Sequence, residues 1–143
     1  MASILKVDTL TGVTTAGSIS VTGEGNSTTT NLQQGLCKAW LNIDQTSTQA
    51  IRDSFGISSI ADSGTGLTTV TVSNAFANND YLANIALRMQ STVSNTGSSG
   101  GVDTSDGSTT ITTTAHRLSY INTGSTGDAD TPYGGSSIHG DLA

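Results

Sequence analysis

The abundance of threonine, serine and glycine constrains the fold of this chain more than any other feature of its sequence. Of 143 residues, 25 are threonine, 20 are serine and 17 are glycine, whereas 34% are hydrophobic. Threonine favours the pleated, half-buried surface of a sheet, while glycine and serine favour turns. Strong helix formers such as glutamate, lysine and leucine are scarce. The sequence therefore predicts an all-β protein with many turns.

The low hydrophobic content also limits the core that one copy can build. A single domain of this length buries roughly 70% of the surface of its unfolded chain, but few of the buried side chains here would be large and apolar. Sharing a core with further copies is the simplest way to bury more apolar area. We therefore expect a homo-oligomer.

Charge and hydropathy exclude several classes of partner. The formal net charge is −6 and only five residues are lysine or arginine, whereas the neutralisation of phosphates requires clustered basic side chains. The sequence thus predicts binding neither to nucleic acid nor to an anionic membrane surface. No apolar run approaches the roughly 20 residues of a membrane-spanning helix, so a soluble protein is expected. Cys37 is the only cysteine, and we interpret it as a small hydrophobic residue of a strand.

Residues 1–31 are predicted to form an arm at the start of the chain. The β-branched residues and Thr-Gly pairs of this segment disfavour a stable helix, so an extended conformation is expected. An extended arm cannot bury its own apolar stripe, which should pack against neighbouring copies or a larger assembly. The candidate anchoring residues are Ile4, Leu5, Val7 and Leu10. The alternative is a disordered tail, because residues 25–30 have the composition of a linker.

Residues 32–143 are predicted to form a head of short strands. Between Leu36 and Ile43, apolar residues alternate with polar ones and with Trp40, which is the pattern of a half-buried strand with Trp40 on its second face. Phe55 lies in a second apolar segment. The candidate residues for the core or for a subunit interface are Trp40, Leu41, Ile43 and Phe55. For Trp40 the alternative is an exposed platform on which a sugar stacks.

Further strands and two polar loops follow along the head. Asp62–Gly66 has the composition of a hairpin connection and leads into an alternating strand at 67–73. Residues 81–93 are predicted as a strand, with a helix over 81–90 as the alternative. Strand signals return later, and exposed polar loops separate them; the strands are predicted at 109–114, 115–122 and 136–142, and the loops at 94–108 and 123–135. Six to eight short strands predict an antiparallel β-sandwich or a jelly-roll-like head.

The sequence offers little for catalysis. Ser99 satisfies the G-x-S-x-G pattern, but this motif requires a turn between a strand and a helix, and no helical pattern follows. No local signature places a nucleophile beside His116 or His139. The alternation of His116 with Leu118 favours a packing position. We predict no enzymatic activity and no cofactor.

Four aspartates of the polar loops are candidates for other chemistry. A carboxylate pair for sugar hydrolysis needs a rigid frame, which flexible loops do not provide. The possible pairs are Asp103 with Asp106 and Asp128 with Asp130. We interpret all four as solvated loop residues, and no metal site is predicted. Calcium binding by either oxygen-rich pair is the alternative, although the EF-hand pattern is not met.

Two stretches of the sequence resemble one family of proteins. The first is the opening, Met1–Leu10. The second is residues 35–73, which contain a Lys-Ala-Trp strand, an Ile-Arg-Asp-Ser-Phe segment and an Asp-x-Gly-x-Gly hairpin. Both are similar to small virion structural proteins of marine tailed bacteriophages, the cyanophage-like and pelagiphage-like capsid decoration or tail-fibre-like appendages. Ile138–Leu142 resembles the closing strand of that module, although His139 stands where an aromatic or aliphatic residue is expected. Residues 94–135 show no match.

The resemblance implies a non-enzymatic structural protein that is assembled in the host cytoplasm and located on the virion. It implies a homotrimeric appendage whose arm binds other virion proteins such as those of the capsid or tail. The short chain favours a capsid decoration protein over a tail-fibre component. The alternative function is a receptor-binding module that recognises host surface glycans through the loops at 94–108 and 123–135.

Overall fold

The structure of the chain, a computed structural model, describes residues 4–13, 19–23, 28–87, 98–103, 111–122 and 127–143. The chain divides into two compact units, residues 1–36 and residues 37–143. This division lies five residues after the boundary between residues 31 and 32 that the sequence suggests.

The first unit contains a hairpin and a single helical turn. Its elements are β1 (Ser20–Thr22), β2 (Thr29–Asn31) and α1 (Leu32–Gly35), and the two strands pair antiparallel. Asn31 caps the turn, because its side-chain oxygen accepts hydrogen bonds from the backbone N–H groups of Gln33 (2.8 Å) and Gln34 (3.2 Å). These are donors that the start of a helix leaves without an intrahelical partner. Residues 4–13 form neither helix nor strand, and all of them are exposed.

The second unit is built from antiparallel strands. In its described part these are β3 (Ala39–Asp44), β4 (Ala50–Phe55), β5 (Ile57–Gly64), β6 (Leu67–Val72), β7 (Leu82–Leu87), β8 (Ser98–Val102), β9 (Ala115–Asn122), β10 (Gly127–Asp128) and β11 (Gly134–His139). One sheet has four strands in the order β4-β3-β11-β7. The other has five, in the order β10-β9-β6-β5, and β8 also pairs with β9. The prediction of an all-β protein is confirmed.

Alternating burial along β3 and β6 shows how each sheet presents one face to the core. In β3, Ala39, Leu41 and Ile43 are buried, and Trp40 and Asn42 between them are exposed. In β6, every second residue from position 68 onward is likewise buried. Because side chains of a strand point to opposite faces with a period of two, each strand contributes one buried face.

The buried side chains come from both main sheets and form two clusters. One cluster contains Ala39, Val72, Phe76, Tyr81 and Ile138. The other contains Leu41, Ile43, Val70, Leu118 and Tyr120. Strands β3 and β11 of the first sheet therefore share a core with β6 and β9 of the second. Burial of a large apolar side chain contributes about 1.5–3 kcal/mol, so these clusters are the main source of stability in the unit.

Two glycines allow the chain to turn where another residue would be strained. Gly56 (φ 68°) separates β4 of one sheet from β5 of the other, and a side chain there would lie 2.7 Å from the carbonyl oxygen of Lys38. Gly66 (φ 70°) belongs to the turn between β5 and β6. A side chain at Gly66 would meet the carbonyl oxygen of Tyr120 at 2.6 Å. The hairpin predicted at Asp62–Gly66 is thereby confirmed.

Several sequence predictions for the head differ from the structure. Residues 98–102 are strand β8 and not an exposed loop, because backbone pairing with β9 holds them in the sheet although Val102 is their single apolar side chain. Residues 127–128 of the second predicted loop likewise pair with β9 as β10. Residues 111–114 form an isolated bridge and a bend where a strand was predicted. Within 81–93, residues 82–87 are a strand, as predicted, and residues 88–93 lie outside the described ranges.

Candidate functional site

The solvent-facing side of the four-stranded sheet carries the most distinctive surface of the second unit. Trp40 lies directly opposite Phe55 across the β3–β4 pair. On its other side Trp40 lies opposite Ser137 of β11, which in turn lies opposite Asn84 of β7. These four residues form one row across the sheet. Trp40 is 37% exposed and Phe55 is 58% exposed, so the two aromatic rings form a patch that the described part of the second unit leaves uncovered.

A second row runs parallel to the first, two residues further along β3. It consists of Asp53, Asn42, Gly135 and Ala86, which are opposite one another in register. The two rows together are called the outer face below. A β-bulge between Asn42 and Ile43 follows the second row and shifts the pairing of β3 with β4.

A shallow groove of about 340 Å³ lies along the second row of the outer face, at Gly135. Its walls include Asn42, Ala86, Leu87 and Tyr133. Glycine is required at position 135, because a Cβ atom there would collide with the carbonyl oxygen of Leu41. Because Gly135 has no side chain, the surface is depressed at the middle of the second row, where the groove lies.

Arg52 fixes the wall of the groove that Tyr133 provides. The guanidinium carbon of Arg52 lies 4.5 Å from the centre of the Tyr133 ring, which is within the range of a cation–π interaction. Arg52 Nε donates to the carbonyl oxygen of Pro132 at 3.1 Å, and Nη2 forms an ion pair with Asp44. These contacts hold the 132–133 segment against the edge of the sheet.

The carboxylate of Asp44 is stabilised in its charged form. The Thr46 hydroxyl and the Thr46 backbone N–H, together with the nearby Arg52 guanidinium, hold the pKa of Asp44 below its usual value. Arg52 and Asp44 therefore neutralise each other beside the outer face.

Three polar side chains of the outer face have unused hydrogen-bonding capacity. Asn42, Asn84 and Ser137 form no side-chain hydrogen bond within the residues that the structure describes. The fourth, Asp53, accepts a hydrogen bond from the backbone N–H of Ser54 at 2.9 Å through one oxygen. The face therefore combines an exposed aromatic pair with donors and acceptors that a ligand could engage.

The residues selected from the sequence fall at three different places. Leu41 and Ile43 are buried, with 4% and 0% of their surface exposed. Trp40 and Phe55 belong to the outer face. Ile4, Leu5, Val7 and Leu10 lie in the first unit and are all exposed. Sequence reasoning missed the rest of the outer face, although the alternation of Asn84 and Ala86 with the larger apolar residues Ile85 and Leu87 could have indicated them.

Asp103 is buried, contrary to the prediction of a solvated loop residue. It is 8% exposed and forms an ion pair of 2.6 Å with Arg117 of β9. The pairing of β8 with β9 brings the end of β8 alongside Arg117, which explains the difference. Asp130 accepts a hydrogen bond of 2.7 Å from the backbone N–H of Gly66. Asp106 lies outside the described residues.

His116 and Ser99 occupy positions in strands. His116 is fully buried in β9, and its ring lies edge-on to that of Tyr81, with 6.1 Å between the centroids. Burial lowers the pKa of His116 to about 4, so the ring is neutral near neutral pH. Ser99 lies within β8, opposite Ile121. The described residues contain no group of three or more metal-ligating side chains.

Comparison with known proteins gives no relative from which a function could be transferred. No family model, no curated protein and no solved structure matches this chain. Among the segments that the structure describes, no helix has the length and hydrophobicity required to cross a membrane.

Proposed function

We propose that this chain is a non-enzymatic structural protein of a bacteriophage virion. In this proposal residues 1–31 are an arm that binds other virion proteins, and residues 32–143 form a β-sandwich head that projects from the particle. The observation that carries the proposal is the exposure of the apolar residues in the arm. Ile4 and Leu5 are 79% and 81% exposed, and Val7 and Leu10 are 56% and 57% exposed.

An exposed apolar segment of this kind favours association. Burial of each such side chain on a partner contributes about 1.5–3 kcal/mol, and Val13 adds a further exposed apolar residue to the same segment. The head has its own buried clusters, formed by residues 39–138. The apolar residues of the arm are therefore available to bind a partner, and a multi-copy particle offers a repeated docking surface.

The sandwich, the trimer and the virion location are parts of the same proposal. Two antiparallel sheets that share buried clusters support a β-sandwich for the head. The trimer and the virion location rest on the resemblance to marine phage appendages. Within this proposal a capsid decoration protein is preferred to a tail-fibre component. Recognition of a host glycan, the alternative function, is supported by a different surface, the outer face of the four-stranded sheet.

The experiment is the quantification of this chain in purified virions of the phage that encodes it. Mass spectrometry should detect the wild-type chain at a high copy number per particle. Leu10→Asp places a charge in the apolar stripe and should reduce incorporation at least tenfold. Thr9→Asp adds the same charge at a neighbouring exposed residue that is not apolar, and it should leave incorporation close to that of the wild type.

Absence of the wild-type chain from virions would refute the proposed location. Equal incorporation of Leu10→Asp and wild type would refute the role of the arm. Unchanged circular dichroism of both variants would show that the substitutions act on binding rather than on folding of the head.

A further inference from the structure

We propose that the outer face of the four-stranded sheet binds a neutral oligosaccharide chain. Trp40 and Phe55 provide the stacking platform, and Asn42, Ser137 and Asn84 provide hydrogen bonds to sugar hydroxyl groups. This proposal does not rest on the arm, because all of the residues involved belong to the second unit.

The first step of the argument is the aromatic pair. Directly opposite residues of an antiparallel pair have Cβ atoms about 4.5–5.5 Å apart, so the rings of Trp40 and Phe55 are neighbours on one surface. Large aromatic side chains are normally buried. Here both remain accessible, and an aromatic face of this kind suits the C–H face of a pyranose ring.

The second step is the position of the polar side chains relative to the rings. Ser137 lies opposite Trp40 on the neighbouring strand, and Asn84 lies one strand further. Adjacent strands are about 4.8 Å apart, so both polar groups lie within the reach of an oligosaccharide stacked on Trp40. Neither side chain uses its hydrogen-bonding capacity within the described residues. A sugar carries hydroxyl groups that both donate and accept, which matches this mixture.

The third step is the electrostatic character of the face. Asp53 is the only charged residue among the eight in the two rows. Arg52 and Asp44 beside it form an ion pair with each other. The whole chain carries a net charge of −6, which disfavours an anionic polysaccharide. The ligand that fits is therefore a neutral one.

The groove supports the same ligand. It has a volume of about 340 Å³ and is open to solvent along the second row. Tyr133 forms one wall and is held by the Arg52 guanidinium. A wall that is fixed before binding lowers the entropy lost on association.

A second copy of this chain fits the outer face less well. Face-to-face packing of two sheets would bury Asn42, Asn84 and Ser137 in an interface, and a buried polar group without a partner is unfavourable. Two copies related by a two-fold axis would have to pair these groups with one another in a single fixed register. An oligosaccharide adapts to them by rotation of its hydroxyl groups.

The test uses Trp40, which is the only tryptophan of the chain, as its own reporter. Tryptophan emission of the full-length protein is recorded during titration with cellohexaose, mannohexaose and maltohexaose up to about 10 mM. Polygalacturonate serves as the anionic control. At least one neutral hexasaccharide should shift the emission in a saturable manner, and polygalacturonate should not. The affinity should be nearly the same at about 50 mM and about 500 mM salt, because the contact involves no ion pair.

Phe55→Ser removes half of the platform and should weaken binding at least tenfold. Ser137→Ala should weaken binding severalfold. The matched control is Ile121→Ser, which removes an exposed apolar side chain (42% exposed) from β9 of the other sheet. This control should bind the sugar as the wild type does.

Three results would overturn the proposal. The first is the absence of a saturable shift with all three neutral hexasaccharides. The second is an equal loss of affinity in Phe55→Ser and Ile121→Ser. The third is a change of Trp40 emission on dilution without sugar, together with a lower native mass of Phe55→Ser, which would assign the face to contact between copies.

Discussion

His116 is a titratable residue in a position that suits an apolar side chain. It is fully buried, and neither ring nitrogen has a hydrogen-bond partner within the described residues. Its neighbour Tyr81 contacts it through the ring and donates its own hydroxyl to the carbonyl oxygen of Ala115 at 3.0 Å. Burial without a partner disfavours the imidazolium form, which is why the pKa of His116 falls to about 4.

This position makes stability dependent on pH. In the unfolded chain His116 binds a proton below the ordinary histidine pKa of 6.5, whereas in the folded chain it does so only below about 4. The contribution of His116 to the free energy of unfolding is therefore fully present above pH 6.5 and is lost progressively toward pH 4. We expect a loss of about 2 kcal/mol between about pH 7 and about pH 5, measured by urea denaturation.

Substitution of His116 tests whether the burial of this residue causes the pH dependence of stability. His116→Leu should remove most of the pH dependence between these two values. His139→Asn should keep it, because His116 is still in place. A pH dependence in His116→Leu equal to that of the wild type would contradict the assignment.

The buried ion pair of Asp103 with Arg117 differs in its energetics from the exposed pair of Asp44 with Arg52. The side chains of the first pair are 7% and 17% exposed, whereas those of the second are 25% and 37% exposed. Removal of one member of a buried pair leaves a charge in a low-dielectric environment, and solvent screens an exposed pair.

Asp103→Ala should therefore destabilise the protein by about 3 kcal/mol, whereas Asp44→Ala should have a much smaller effect. Thermal denaturation of both variants beside the wild type measures the difference. Equal destabilisation by the two substitutions would show that the burial of Asp103 has no energetic importance.

At the scale of elements, strand β8 shows how a segment with a single apolar residue, Val102, is held in a sheet. Its five residues, Ser98–Val102, pair with β9. Gly100 faces the other sheet, and a Cβ atom there would lie 2.9 Å from Cγ2 of Ile85 and 3.1 Å from a ring carbon of Tyr120. Gly101 beside it has no atom of the described residues within 4 Å of such a Cβ position. The absence of a side chain at Gly100 lets β8 approach the core closely.

A larger side chain at these two adjacent positions should have opposite effects. Gly100→Val should destabilise the protein by about 1–3 kcal/mol through overpacking. Gly101→Val should be neutral or slightly stabilising, because a β-branched residue replaces glycine in a strand. The midpoints of denaturation of the two variants provide the comparison, and a similar loss in both would contradict the packing of β8 described above.

The limits of sequence reasoning also appear at this scale. Alternating apolar residues are sufficient to predict β3 and β6, because their own side chains form the core. β8 cannot be predicted in this way, since its place in the sheet depends on the distant strand β9. The outer face cannot be predicted from the sequence either. Trp40 and Phe55 are visible as aromatic residues, but their register and the position of β11 and β7 beside them depend on the strand order.

At the scale of the whole molecule, two compact units of different character are joined in one chain. Residues 37–143 bury two apolar clusters of their own. Residues 4–13 leave all of their apolar side chains exposed. We propose that a protein of this composition gains stability by association, and that the arm and the head act in an assembly.

The native mass of the full-length protein, measured by light scattering at micromolar concentration, tests this assembly most directly. A homotrimer has a mass of about 43 kDa, three times the 14.4 kDa of one chain, and this is the value we expect. A monodisperse species of 14.4 kDa would contradict the trimer and would show that one copy is stable with its apolar arm exposed.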